Sequence, residues 1–97
     1  MTVVVAIFDD AASLDRAIGK LSQQGLDETV LDPGVETPRA FKTHLADYGL
    51  PSRVLDSYMT TFAHGGKFVI IRTSRDNAAA VMALCKSFDA AQVNSHE

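Results

Sequence analysis

Two stretches of this chain read as strands buried on both faces, and they constrain the fold more than any other feature. Residues 2–8 run Thr-Val-Val-Val-Ala-Ile-Phe, and residues 67–73 run Lys-Phe-Val-Ile-Ile-Arg-Thr. β-Branched and aromatic residues dominate both, which suits a pleated, packed surface. Successive side chains of a strand point to opposite faces. In the first run one face carries Val3, Val5 and Ile7, and the other Thr2, Val4, Ala6 and Phe8. In the second, Phe68, Ile70 and Arg72 alternate with Val69 and Ile71. Neither run offers a clean polar side to water. Both are therefore predicted to be central strands, adjacent to each other, and not edges. A sheet apolar on both faces needs cover on both. Helices of the same chain are one answer and a second copy is the other.

The remaining sequence is well punctuated. Asp10 is placed as the N-cap of a helix in which Leu14, Ala17, Ile18 and Leu21 recur at helical spacing. Gly25 ends it, with Leu26 set to touch Leu21. Glu28 to Asp32 is a short strand centred on Val30 and Leu31, and Asp32-Pro33-Gly34 is a turn signal. Thr37 caps a second helix with Pro38 at its first position, where the missing N–H costs nothing. Phe41, Leu45 and Tyr48 are its apolar face, and Gly49-Leu50 repeats the terminating device. Pro51 opens a third helix carrying Val54, Leu55, Tyr58, Met59 and Phe62, ended by Gly65-Gly66. Ser74 caps a fourth, with Ala78, Val81, Met82, Cys85 and Phe88 inward. Ala91 to Asn94 is a weak last strand, and Ser95-His96-Glu97 reads as a frayed tail.

This order predicts one α+β domain over residues 1–97. Its architecture is a ferredoxin-like split βαβ with a two-helix insert between strands 2 and 3, on a single, mainly antiparallel sheet. Strand order beyond the central pair does not follow from the pattern.

Several of these signals recur together as a family pattern. A strand ends in Phe8-Asp9, and a helix follows that ends at Gly25. Gly49-Leu50-Pro51 leads into a helix bearing Tyr58 and ending in Gly65-Gly66, and an apolar strand and an alanine-rich helix close the domain. In these features the chain resembles the small bacterial general stress proteins, including the heat-induced stress protein group. Residues 32–40 fit that pattern least. The resemblance implies stress association and no established enzyme activity.

Composition excludes several classes. A hydrophobic fraction of 46% with 22% charged residues argues against disorder. Nine basic and 12 acidic residues leave a net charge of −3, and the bases are scattered. Nucleic acids and anionic membrane surfaces are attracted by a positive footprint, so both are disfavoured as partners. Cys85 is the lone cysteine, so no intrachain disulfide forms. The apolar N-terminus has no basic segment before it and meets Asp9-Asp10 at once, which reads as a strand and not a signal peptide. A cytoplasmic protein is expected.

Candidate chemistry is sparse. His44 and Asp47 share a helix face, two ligands short of a structural metal site. His64-Gly65-Gly66-Lys67 has glycines that let a phosphate approach and a lysine to pair with it, yet it ends a helix, where the partial charge is negative. The same residues serve as a C-cap. Tyr58 is either a core residue or, with Tyr48, Met59, Phe62 and His64, the wall of a pocket beneath the insert. Cys85 lies on an apolar helix face, where a thiol is inert. Asp9-Asp10 reads as strand end plus N-cap. The ligand-binding candidates are thus Tyr58, His64, Lys67 and His44, with no catalytic residue, metal site or cofactor expected.

The leading functional expectation is a non-enzymatic stress-associated domain acting as a homodimer or by binding a protein partner. The alternative is a sensor of a small anionic or nucleotide-like molecule, bound beneath the insert. A more distant third is a small enzyme using His44 or His64 as acid or base.

Overall fold

Residues 2–96 are described by a computed structural model. Within them the chain runs β1 (Thr2–Phe8), α1 (Ala11–Gln23), β2 (Asp27–Leu31), α2 (Pro38–Asp47), α3 (Ser52–Ala63), β3 (Lys67–Thr73), α4 (Arg75–Ser87) and β4 (Gln92–His96). The strands form a four-stranded sheet in the order β2-β3-β1-β4, antiparallel at every pairing. This is the ferredoxin-like α+β arrangement, with α2 and α3 inserted between β2 and β3. The two apolar runs are the central pair, in register from Thr2 opposite Thr73 to Phe8 opposite Lys67.

The helix starts follow local hydrogen-bond chemistry. The Ser13 amide donates to the Asp10 carboxylate at 2.7 Å, and that contact, the largest influence on the group, lowers the Asp10 pKa. Ala40 N–H donates to Thr37 Oγ1 at 3.1 Å, and Asn77 N–H to Ser74 Oγ at 3.3 Å. Each satisfies a donor that the first helical turn leaves free.

The predicted tail needs correction. Ser95 and His96 are strand residues, paired with Val4 and Val3 on the outer side of β1. Their own sequence is weakly strand-forming, but β1 has a row of backbone groups there that must be paired. Glu97 lies outside the described residues. β2 also begins and ends one residue earlier than its sequence pattern indicates.

Both sheet faces are covered from within the chain. On one side Val4, Ala6, Phe8, Val69 and Ile71 pack with Leu14, Ala17 and Leu21 of α1 and Ala78, Val81 and Cys85 of α4. On the other, Val3, Val5, Ile7, Phe68 and Ile70 pack with Phe41 and Leu45 of α2 and Leu55, Tyr58 and Phe62 of α3. The Phe41 ring stacks on Phe62 at 4.0 Å and meets Phe68 edge-on at 4.7 Å. The inserted pair therefore wraps to the far side of the sheet, and neither face needs a second copy to cover it.

Candidate functional site

The four predicted ligand residues do not form one site. His64 is the exposed C-cap of α3, and its ring Nδ1–H donates to the Thr60 carbonyl at 2.7 Å. Its role is thus to close a helix end. Lys67 begins β3 opposite Phe8. His44 is exposed on α2, away from the buried Phe41 and Leu45. Tyr58 is buried, with its ring edge-on to Phe68 at 5.4 Å. Six residues of helix, about 9 Å of rise, separate it from His64.

What Tyr58 does meet is β4. Its hydroxyl lies 2.8 Å from His96 Nε2, and the two rings are edge-on at 5.9 Å. Burial raises the phenol's pKa, and the Asn94 side chain works against that rise. His96 Nε2 is the side-chain atom in hydrogen-bond contact with the phenol. A phenol is a stronger hydrogen-bond donor than a neutral imidazole N–H, and the bare imidazole nitrogen is the stronger acceptor, so the Tyr58 O–H is taken to donate to Nε2, with the imidazole proton on Nδ1. Burial also lowers the His96 pKa, so the ring is held neutral.

The sheet register builds a polar row around this contact. Asp27, Arg72, Val3 and His96 stand opposite one another across β2, β3, β1 and β4. Directly opposed residues share a face, so Asp27, Arg72 and His96 lie on the side of the insert with Val3. The next row on that face is Thr29, Ile70, Val5 and Asn94. Tyr48, the C-cap of α2, donates its O–H to Thr29 Oγ1 at 2.8 Å. The Arg72 guanidinium rests over the Tyr48 ring, 4.7 Å from its centre. Between the α2–α3 turn and this end of the sheet is a cavity of about 350 Å³, lined by Tyr48, Gly49, Leu50 and Pro51 of the turn and by Val3, Ser95 and His96 of the sheet.

The two sheet edges differ. β2 carries Asp27 and Glu28 and runs into the turn at Asp32-Pro33-Gly34. β4 reads Gln-Val-Asn-Ser-His, with no Lys, Arg, Asp, Glu or Pro. Its register to β1 advances one for one from Gln92 to His96, so no bulge breaks it.

Sequence reasoning passed over His96, Asn94 and Arg72. The run Gln92-Val93-Asn94-Ser95-His96 carries a single apolar residue, so no period of a half-buried strand marked it. Among the described residues no group of three or more His, Cys, Asp and Glu side chains is placed to hold a metal ion, and no helix is long and apolar enough to cross a membrane. No protein-family model matches the chain, and no curated protein matches it at a significant level.

Proposed function

We propose that this protein is a non-enzymatic, stress-associated domain that works by self-association, two copies pairing along their β4 strands into one continuous sheet. The observation that carries this reading is the unprotected β4 edge, Gln92–His96, uncharged and without proline or bulge. Edge strands present unpaired N–H and C=O groups and are ordinarily blunted by charge, proline or a bulge. β2 has such protection in Asp27 and Glu28, and β4 does not. The stress association rests on the resemblance carried by Gly49-Leu50-Pro51, Tyr58 and Gly65-Gly66. A reducing cytoplasm suits the buried free thiol of Cys85.

Sedimentation equilibrium tests the assembly. At tens of micromolar protein the expected mass is twice the 10.4 kDa of the chain. Gln92 and Ser95 are both exposed, so Gln92→Lys with Ser95→Lys leaves both cores untouched while charging the edge. That variant should sediment as a monomer with unchanged circular dichroism. A wild-type monomer at every concentration, or an equally dimeric double variant, refutes pairing through β4.

A further inference from the structure

The cavity beside His96 has a donor-rich wall that the fold itself leaves unsatisfied. Three of the four helices end with a full Schellman pair of hydrogen bonds. In α1, Gly25 N–H donates to Ser22 O and Leu26 N–H to Leu21 O. In α3 the donors are Gly65 and Gly66, and in α4 they are Asp89 and Ala90. α2 makes only half of the motif. Gly49, at φ +77°, donates to Ala46 O at 2.9 Å, but the second bond, from Leu50 N–H to Leu45 O, is missing. Leu50 is 8% exposed, and its N–H has no acceptor among the described residues. A buried backbone donor is normally paired, and Leu50 lines the cavity.

Two further donors are His96, which also lines the cavity, and Arg72, which rests on the lining Tyr48. His96 Nε2 is occupied by the Tyr58 hydroxyl, which leaves the Nδ1–H without a protein partner among the described residues. Arg72 is exposed, stacks on the cavity-lining Tyr48 ring, and stands opposite the cavity-lining Val3. Asp27 is its other cross-strand neighbour, and no ion pair joins Arg72 to a carboxylate among the described residues. Val3, Pro51 and the Tyr48 ring supply apolar surface between the donors.

We infer that this cavity binds a small organic anion, a carboxylate or phosphate attached to a planar apolar group. Its charged end would be held by Arg72 and the N–H groups of His96 and Leu50, and its flat body would lie against Tyr48 and Pro51. The volume of about 350 Å³ is at the small end of the range for ligand sites. Donors without acceptors beside a cation recognise an acceptor-only group such as a carboxylate or phosphate, and a planar guanidinium does so in two-point fashion.

The test is a titration of the uniformly ¹⁵N-labelled chain, at constant ionic strength near neutral pH, with benzoate, phenyl phosphate and benzamide. Benzoate or phenyl phosphate should saturate shifts at the amides of Gly49, Leu50, Ser95 and His96. Saturation of both assigns the anion class, and of one alone the carboxylate or the phosphate. Benzamide, matched in shape but neutral, should bind at least about tenfold more weakly, as should benzoate to Arg72→Gln. Arg72 is exposed, so that variant stays folded and its spectrum verifies this. Shifts that do not saturate, an equal response to benzamide, or undiminished binding by Arg72→Gln overturns the inference.

Discussion

Tyr58 on α3 and His96 on β4 are 38 residues apart in the chain, yet the phenol oxygen and the imidazole Nε2 lie 2.8 Å from each other. The contact ties the inserted helices to the edge strand on which self-association is proposed. With the phenol as donor, it also leaves the imidazole proton on Nδ1 of a residue that lines the cavity.

One consequence is a pH dependence of stability. Burial lowers the His96 pKa below the ordinary 6.5. On acidification the unfolded chain takes up its proton first, so the unfolded state binds more protons in that window and stability falls as the pH falls. The contribution of the neutral ring is full above about pH 6.5 and is lost as pH drops through the folded-state value. Urea denaturation between mildly alkaline and mildly acidic pH should reveal the decline, and His96→Gln should flatten it. Parallel profiles for wild type and variant would assign the decline to other groups.

Phe41 is the keystone of the insert's packing. It is fully buried and touches the rings of both Phe62 and Phe68. Phe41→Ala should cost about 3–5 kcal/mol, a large share of the 5–15 kcal/mol typical of a whole domain. Val35, which is 82% exposed, is the control, and Val35→Ala should change stability by less than about 0.5 kcal/mol. Chemical denaturation midpoints separate the two.

Two glycines should respond in opposite directions to alanine. Gly19 lies within α1, and a Cβ there meets nothing within 4 Å. Gly19→Ala should stabilise by about 0.5–1 kcal/mol, because glycine is a poor helix residue. At Gly66 a Cβ would stand 2.8 Å from Thr61 Cγ2 and 3.0 Å from the Thr61 carbonyl oxygen. That oxygen accepts the Gly66 N–H, so the backbone is held in place. Gly66→Ala should destabilise by about 1–3 kcal/mol. Thermal melts that move in the same direction for both would show that this close approach relaxes freely.

Cys85 should be inert in the native protein. It is fully buried, and desolvation pushes its pKa up to about 11, so the reactive thiolate is scarce at neutral pH. A chromogenic disulfide reagent should label it only after denaturant is added. Cys85→Ser should cost about 1–3 kcal/mol, since the hydroxyl would be buried among apolar side chains. Rapid labelling of the native chain would contradict the packing of α4 against β1.

The sequence by itself determined what depends on neighbours in the chain. Asp10, Thr37 and Ser74 cap helices because an oxygen three residues before an orphan N–H is enough. The seven-residue runs at Thr2 and Lys67 become the central pair because neither has a side that water would solvate. Only the tertiary structure decided which helices cover which face. The helix stripes and both sheet faces are alike apolar, so the pattern does not distinguish the sides. Right-handed crossovers put α1 and α4 on one side of the sheet, and Phe41, Leu45, Tyr58 and Phe62 fill the other. His96 was hidden for a related reason. Gln-Val-Asn-Ser-His has little strand tendency of its own, and it is extended because the outer edge of β1 is there to pair with. The Tyr58–His96 contact, and the cavity beside it, exist only once that register and the insert's position are both set.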